Sequence, residues 1–300
     1  MREFIIQKSD AGQRLDRYLG KVLPNAPQGL IYKSLRKKRV KVNGKKGEAA
    51  YRLCEGDRLL LYINDEFFQA GLSAPYWQTL QPKLDVVYED ADILVANKPS
   101  GLLSQAENEP SLEGYYRAYL YQKGEFDPSA AHAYLPSLCH RIDRNTAGLV
   151  LAAKHAEAHR ILSQKLRDRE IRKFYRCETE GVPEPKFGTV SGYLLKSPAE
   201  RRMRFFDTPR PGAVPCSTSY RVLREDGRTA VVEVELHTGR THQIRATFAY
   251  LGCPLAGDVK YGAAKDGRHT YQHLTACRLV FAFTSDAGIL NHLSQKVIVI

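Results

Sequence analysis

From Leu84 to the end of the chain, short apolar segments with the spacing of β-strands follow one another, and most are joined by turn residues. LDVVYED and DILVANKP predict two strands around an acidic turn, and STSYRVLREDGRTAVVEVELHTG predicts a long hairpin around Asp226 and Gly227. KFYRCETEG and KVIVI predict further strands, whereas AEAHRILSQKLRDREI and THQIRATFAYLG have helical spacing. Because strands outnumber helices and are joined largely by hairpins, we expect an α+β fold with a mixed, mainly antiparallel sheet and flanking helices.

The first 62 residues carry most of the positive charge of the chain. They hold 15 Lys and Arg against 6 Asp and Glu, which is a net charge of +9 out of +12 for the whole chain. QRLDRYLGKVL and the segment from Leu30 to Arg36 predict two short helices, RVKVNGKK predicts a hairpin around an Asn-Gly turn, and DRLLLYI predicts a closing strand. A small, concentrated basic unit is typical of polyanion binding, and a basic surface that only improves solubility is the alternative.

These patterns divide the chain into three parts. Residues 1–63 form the basic unit, and residues 84–300 form the strand-rich body. Residues 64–83 show no sustained period and contain Gly71, Pro75 and Pro82, so we expect a linker that packs its aromatic side chains on the body.

Several common chemistries have no signature in this sequence. The chain has no glycine-rich loop for a nucleotide triphosphate or a dinucleotide, and its six cysteines form no C-x-x-C pair. His269 and His273 are four residues apart but have no third ligand nearby. We therefore expect no cofactor and no metal, reduced thiols, and, because the N-terminus lacks a secretory h-region and no apolar stretch is long enough for a membrane span, a cytoplasmic protein.

Asp143 has an unusual setting in CHRIDRNTAGLVLAAK. The apolar run from Gly148 is typical of a strand buried on both faces, so Asp143 is expected just before a core strand. Arg141 and Arg144 flank it, and nearby positive charges favour an ionised carboxylate, which is the state that a nucleophile needs. The alternative is an aspartate that only pairs with its neighbours or caps a turn.

Several motifs of the body occur together in one order. VVYEDADILVANKPSGLL, HRIDRNTAGLVLAAK, KFYRCETEG, ELHTGRTHQIR and LGCPLAGDVKYG resemble the catalytic domain of the RluA-type pseudouridine synthases over about residues 84–285. SLRKKRVKVNGKK, followed by CEGDRLLLYI, resembles the alpha-L RNA-binding domain over about residues 12–63. The combination is similar to the members of that family that act on large-subunit ribosomal RNA.

The resemblance implies specific roles for four residues. Asp143 matches the catalytic aspartate, Arg245 matches the arginine that pairs with it, and Tyr175 matches an active-site tyrosine that stacks on uracil or assists a proton transfer. Arg141 matches a residue associated with flipping the target base, and a planar cationic side chain suits that role. A surface arginine and a core tyrosine are the structural alternatives for Arg245 and Tyr175.

Further residues are expected to bind RNA. In the body these are His140, Arg240 and His242, and in the basic unit they are Lys33, Arg36, Lys37, Lys38, Arg39 and Lys41. The sequence departs from the family pattern at Ser104, Gln105, Asn145, Ala147 and Thr247. None of these departures replaces Asp143, Tyr175 or Arg245, so they bear on the choice of target rather than on activity.

The resemblance therefore implies an RNA pseudouridine synthase, an isomerase without a metal or a nucleotide cofactor. We expect ribosomal RNA as its partner, no membrane, and a monomer. A pseudouridine synthase for transfer RNA and a non-catalytic RNA-binding or ribosome-assembly factor remain the two alternatives.

Overall fold

The computed structural model describes residues 1–68, 75–128, 134–197, 200, 202–265 and 270–300. The α-helices in these ranges are α1 (Leu15–Val22), α2 (Gln28–Arg36), α3 (Leu112–Gln122), α4 (Ala156–Arg167) and α5 (Gln243–Tyr250). The strands of the N-terminal unit are β1 (Arg2–Ile5), β2 (Val40–Val42), β3 (Lys45–Lys46) and β4 (Arg58–Leu61). The strands of the body are β5 (Val86–Glu89), β6 (Ile93–Lys98), β7 (Ser137–Leu138), β8 (Ala147–Ala153), β9 (Ile171–Glu180), β10 (Phe187–Ser197), β11 (Arg202–Phe206), β12 (Val214–Glu225), β13 (Thr229–Leu236), β14 (Leu274–Phe281) and β15 (Val297–Val299). Short 3-10 helices occupy Lys8–Asp10, Asp65–Phe68, Tyr76–Thr79, Val259–Tyr261 and Gly288–Leu293.

One large sheet organises the body. Its strand order is β11-β10-β12-β13-β9-β14-β8-β6-β5, with β7 beside β8 and β15 beside β14. The pairing of β14 with β8 is parallel, and the other described pairings in this sheet are antiparallel. The predicted α+β class with a mixed, mainly antiparallel sheet is confirmed.

Apolar side chains alternate between the two faces of this sheet, and each face is covered. On one face, Tyr116 of α3 and Phe248 of α5 pack with Tyr175 of β9 in a common core. On the other face, Leu162 of α4 packs with Phe281 of β14. Strand β8 contributes to both cores, which explains its continuous apolar sequence and confirms the strand predicted there.

A close approach of two backbones fixes the start of β8. Gly148 has φ +110°, and a Cβ atom at this position would lie 2.2 Å from the backbone oxygen of Ala276 in β14. Only glycine fits such a contact. Asp143 therefore lies just ahead of a strand whose position against β14 is set by main-chain contact.

The N-terminal unit has its own sheet, in the order β1-β4-β2-β3, and its own buried core. The two predicted helices, the hairpin at Asn43 and Gly44, and the closing strand are all present, and β1 was not predicted. The unit contacts the body through Asp10, which is fully buried and accepts a hydrogen bond of 2.6 Å from the Tyr134 amide. The ammonium of Lys21 lies over the Tyr134 ring, 5.8 Å from its centroid.

The segment predicted as a linker packs partly on the body and partly on the N-terminal unit. Trp77 is buried in the core of the body, as expected, whereas Phe67 and Phe68 pack against the core of the N-terminal unit. The prediction that all its aromatic side chains cover the body was therefore wrong for these two. Residues 69–74, with Gly71, lie outside the described residues. None of the described helices is long and apolar enough to cross a membrane.

Candidate active site

A pocket of about 430 Å³ opens where three loops of the body meet. The loops follow β6, precede β8 and precede α5. All the residues predicted to be catalytic line it, together with those that were predicted to bind RNA in the body: Asp143, Tyr175, Arg245, His140, Arg141, Arg240 and His242. Segments that are more than 100 residues apart in sequence thus converge on one cavity of a size typical for a small ligand or a nucleotide.

The loop that carries Asp143 is held by hydrogen bonds on both sides of the aspartate. The Thr146 amide donates to the Asp143 carbonyl at 3.1 Å and closes a turn. The Ser104 hydroxyl donates to the Ile142 carbonyl at 2.7 Å and accepts from the Ile142 amide at 3.2 Å. Ser104, one of the departures from the family pattern, therefore fixes the residue directly before Asp143.

Lys98 stabilises the same loop through hydrogen bonds from the end of β6. It is fully buried at the end of β6, and its ammonium donates to the carbonyls of Pro99, Leu102 and Arg144 at 2.9, 2.7 and 2.8 Å. Burial lowers the pKa of Lys98 to about 8, against an opposing effect of the Asp143 charge. Three donors with three acceptors leave this side chain in one orientation, which joins the loop after β6 to the loop before β8.

The basic side chains nearest to Asp143 come from α5 and the residue before it rather than from its sequence neighbours. One carboxylate oxygen, Oδ2, lies 3.7 Å from Arg245 Nη1 and 3.9 Å from His242 Nε2. Arg144 instead forms an exposed ion pair with Glu109 at 3.2 Å. The Arg144 side chain also lines the pocket, but it pairs with Glu109 rather than with Asp143, so the expectation that it stabilises the Asp143 carboxylate was wrong.

Arg245 is fixed mainly by a partner that the sequence did not identify. Its Nε and Nη2 donate to the two carboxylate oxygens of Asp258 at 2.6 and 2.8 Å. The side chain of Asp258 is 1% exposed and that of Arg245 is 9% exposed, so this fork-shaped ion pair is shielded from water. The predicted ion pair of Arg245 with Asp143 is present, but at 3.7 Å it is longer than a hydrogen bond.

His242 stands between Tyr261 and Asp143. Burial lowers the pKa of His242 below its usual value despite the nearby Asp143 carboxylate, so the ring is neutral at pH 7. The Tyr261 hydroxyl accepts from the Met203 amide at 2.9 Å and lies 2.9 Å from His242 Nδ1. If the hydroxyl donates to Nδ1, the ring proton resides on Nε2, the nitrogen that faces Asp143. The backbone of His242 has φ 52°, an uncommon conformation that is often found at functional sites.

Tyr175 forms a wall of the pocket from β9. Its side chain is 5% exposed and belongs to the core that also contains Ile244 and Leu274. Burial, and next the charge of Asp143, raise the pKa of the Tyr175 phenol well above its usual value. The phenol therefore stays protonated at neutral pH.

His140 and Arg141 differ although they are adjacent. Arg141 is exposed at the rim of the pocket. The His140 Nε2 accepts from the Leu151 amide at 3.2 Å, and its Nδ1 is buried with no hydrogen-bond partner among the described residues. Burial, assisted by the charge of Lys173, lowers the pKa of His140 to about 3. The neutral His140 ring thus connects the loop of Asp143 to β8, and its predicted contact with RNA stays a prediction.

Three buried residues of this site were missed from the sequence: Lys98, Asp258 and Tyr261. Each lies inside a motif that carries the family resemblance, NKPSGLL or LGCPLAGDVKYG. A charged residue within a stretch otherwise suited to burial was the signal that could have identified Lys98 and Asp258. In the N-terminal unit, Lys33, Arg36, Lys37, Lys38 and Arg39 are exposed, and Lys41 lies 5.6 Å from the Tyr62 ring centroid.

One cluster in the described part of the chain has the side chains to hold a metal ion. It consists of Asp90, Asp92 and His292 and lies outside the pocket. Its groups already bond to protein, because His292 Nε2 is 2.9 Å from Asp90 and His155 Nε2 is 2.8 Å from Asp92. Of the histidine pair considered from the sequence, His269 lies outside the described residues.

Comparison with known proteins gives a consistent result. The family described as RNA pseudouridylate synthase matches residues 92–250. The ribosomal large subunit pseudouridine synthase C of Vibrio cholerae serotype O1 is 31% identical over 271 residues, which are 89% of this chain and 82% of the relative. The protein of the same name from Escherichia coli K12 is 31% identical over 278 residues, with 92% and 84% covered. A solved structure, human RNA pseudouridylate synthase domain containing 4, matches with TM-score 0.54 and 25% identity over 65% of this chain and 83% of that chain.

Proposed function

The chain belongs to the RNA pseudouridylate synthase family, and we propose that it isomerises uridines of large-subunit ribosomal RNA with Asp143 as its nucleophile. As a member of this family the protein is an RNA pseudouridine synthase, an isomerase that acts on RNA. The names of the relatives support the ribosomal target, since those from Vibrio cholerae and Escherichia coli are called ribosomal large subunit pseudouridine synthase C. The single observation that carries the assignment of the nucleophile is the convergence of Asp143, Tyr175 and Arg245 on one pocket.

The reaction breaks the bond between ribose and uracil nitrogen, turns the base, and rejoins it through carbon 5. In our proposal the target uridine leaves its stack and enters the pocket, and the Asp143 carboxylate meets its sugar. The carboxylate then attacks the sugar or accepts a proton from it while negative charge develops on the departing uracil. Asp143 is suited to this encounter because its side chain is 27% exposed within the pocket.

Arg245 acts as a positioning and electrostatic residue in this proposal. Asp258 holds its guanidinium through two short hydrogen bonds, so the positive charge beside Asp143 stays fixed before and after the sugar is attacked. A buried arginine remains charged, so it lies next to the Asp143 carboxylate as a permanent cation.

Tyr175 and Arg141 contact the RNA in complementary ways. The Tyr175 ring provides an apolar surface for the uracil, and its protonated phenol is able to donate a hydrogen bond but is a poor base at neutral pH. The exposed Arg141 extends from the rim and occupies the space that the flipped base leaves. Arg240 and His242 complete the wall on the side of α5.

The N-terminal unit binds structured RNA in this proposal. Its exposed cations lie on the last turn of α2 and in the segment that leads into the hairpin, an arrangement that suits contact with consecutive phosphates. The division into an RNA-binding domain at 1–63, a linker at 64–83 and a catalytic domain at 84–300 belongs to the same proposal, as do a monomeric chain and a cytoplasmic location.

Tritium release from large-subunit ribosomal RNA labelled at uracil carbon 5 tests the activity and the nucleophile together. We expect release by the wild type and none by Asp143→Asn, whereas the exposed control Asp207→Asn keeps full activity. Full activity of Asp143→Asn would refute the assignment of the nucleophile. Release from labelled transfer RNA alone would refute the ribosomal target.

A salt titration tests the N-terminal unit. Deletion of residues 1–63 would uncover the buried contact of Asp10 with Tyr134, so a full-length variant with Lys33, Arg36 and Lys37 changed to Gln is preferable. We expect weaker binding to ribosomal RNA and a smaller dependence of affinity on salt, with the slope reduced by about 0.9 for each duplex phosphate that is no longer neutralised. An unchanged affinity and slope would exclude these side chains from RNA binding.

A further inference from the structure

A second groove, of about 790 Å³, adjoins the pocket of Asp143. It lies between the C-terminal end of α4, the beginning of β9 and the end of β13. His140, Lys173, Leu236, Gly239 and Arg240 line both cavities. Because they share this wall, a chain that occupies the first cavity is able to continue into the second.

The groove is strongly cationic. Five side chains are positively charged, Arg167, Arg169, Arg172, Lys173 and Arg240, and Glu235 is the one carboxylate in its lining. Arg172 donates two hydrogen bonds of 2.7 and 2.8 Å to Glu235. The other four cations, Arg167, Arg169, Lys173 and Arg240, therefore have no carboxylate in the groove lining to pair with. An excess of positive charge along a cleft attracts a polyanion and concentrates it there.

Lys173 is the most informative of these cations. It stands two residues before Tyr175 on β9, at the wall that the two cavities share. Burial lowers its pKa, and no ion pair to its ammonium is found in the ranges that the structure describes. A cation that has lost much of its water gains from an anionic partner, and the described part of the chain supplies none here.

The backbone at Arg169 is a second and independent observation. α4 ends at Arg167, and Arg169 follows with φ 63°, a conformation at helix ends that glycine adopts without strain. An exposed arginine at such a position is an unfavourable choice for folding alone. Lys38 ends α2 in the same way, with φ 58°, and it belongs to the basic segment predicted to bind RNA.

We propose that this groove holds the sugar-phosphate backbone of the RNA strand that flanks the target uridine. The inference rests on the proposed function, because a nucleotide in the Asp143 pocket must be joined to its neighbours. Arg167, Arg169 and Arg240 contact phosphates, and Lys173 lies at the passage from the groove to the pocket. Contacts of this kind fix the strand without reading its sequence, so they place the uridine and leave the choice of target to other surfaces.

The test uses the full-length chain with Asp143→Asn, which prevents turnover, and a fluorescent oligouridylate of twelve nucleotides as the probe. The groove variant adds Arg167→Gln and Arg169→Gly, and the control adds Arg224→Gln and Arg228→Gln, two exposed arginines outside both cavities. Removing two cations that neutralise phosphates of a single strand should weaken binding about tenfold near 0.15 M salt and reduce the salt slope by about 1.4. The control should change neither quantity.

Thermal unfolding separates this role from a structural one. Arg169→Gly relieves an unfavourable backbone conformation and Arg167 is exposed, so we expect the melting temperature of the groove variant to equal or exceed that of the Asp143→Asn parent while its affinity falls. Unchanged affinity and salt slope in the groove variant would overturn the proposal. So would an equal loss in the control with Arg224→Gln and Arg228→Gln, because binding would then follow total charge rather than the groove. The probe contains no ribosomal sequence. Loss of binding by the groove variant is therefore independent of whether the tritium assay finds ribosomal RNA to be the substrate.

Discussion

Lowering the pH from 7 to 5 is expected to destabilise the protein through His140. Burial lowers the pKa of this ring to about 3 in the folded chain, whereas an unfolded histidine has a pKa of about 6.5. The folded state resists protonation and the unfolded state accepts it, so this contribution to stability is present above pH 6.5 and is lost as the pH falls toward 3. At pH 5 the loss is about 1.5 pH units multiplied by about 1.4 kcal/mol, which is about 2 kcal/mol.

Urea unfolding of the wild type and of His140→Gln at both pH values measures this contribution. Glutamine retains an oxygen that is able to accept from the Leu151 amide, and it does not titrate between pH 5 and 7. The wild type should lose about 2 kcal/mol more than the variant between pH 7 and pH 5. Other histidines titrate in both proteins, so their effects cancel in the difference.

His292→Gln is a control with the opposite sign. Its hydrogen bond to Asp90 raises the pKa of His292 above the unfolded value, so protonation at pH 5 stabilises the folded wild type, and the variant should lose more stability than the wild type on acidification. If His140→Gln and the wild type lose the same free energy, the His140 ring is accessible to protons in the folded state. A buried neutral ring would then not be what connects the loop of Asp143 to β8.

Two further substitutions probe the supports of the site. Asp258→Asn removes one charge of the buried pair with Arg245. We expect the free energy of unfolding in urea to fall by about 3–5 kcal/mol and the rate of tritium release to fall as well. Full stability and full activity would contradict the positioning role of Asp258. Gly148→Ala places a Cβ atom 2.2 Å from the Ala276 oxygen and should destabilise by more than about 4 kcal/mol in the same assay. Gly124→Ala, at φ +74° in open space, is its control and should lose only about 1 kcal/mol from backbone strain, so equal losses would refute the clash.

The elements that could be predicted from the sequence are those with strong local signals. The hairpins at Asn43 and at Asp226 have turn residues that fix their geometry, and both are present. β10 and α3 were missed because glycines interrupt their patterns at Gly188, Gly192 and Gly114. A Cβ atom at Gly192 would lie only 2.4 Å from the Phe205 ring. Tertiary packing rather than local propensity therefore requires glycine at this position.

The candidate site was predictable in part, for a similar reason. Motif resemblance brought Asp143, Tyr175 and Arg245 together, and they line one pocket. Their partners are chosen in three dimensions, so sequence adjacency identified the wrong cation at Arg144 and missed Asp258, which lies 13 residues beyond Arg245. Burial and the direction of each side chain decide such pairs, and neither follows from spacing in an irregular loop.

Under the proposed role of Asp143 as nucleophile, the arrangement keeps the residue positioned and leaves it free to react. The strong contacts of the site hold its neighbours, because Lys98 and Ser104 fix the backbone of its loop and Asp258 fixes Arg245. Within the described ranges, the carboxylate itself has only longer contacts, at 3.7 and 3.9 Å. An aspartate bound tightly by an arginine would have to break that ion pair before bonding to a sugar, and breaking a shielded pair is costly. By giving the short hydrogen bonds of Arg245 to Asp258, the fold supplies a fixed positive charge next to Asp143 and leaves its oxygens available to the substrate.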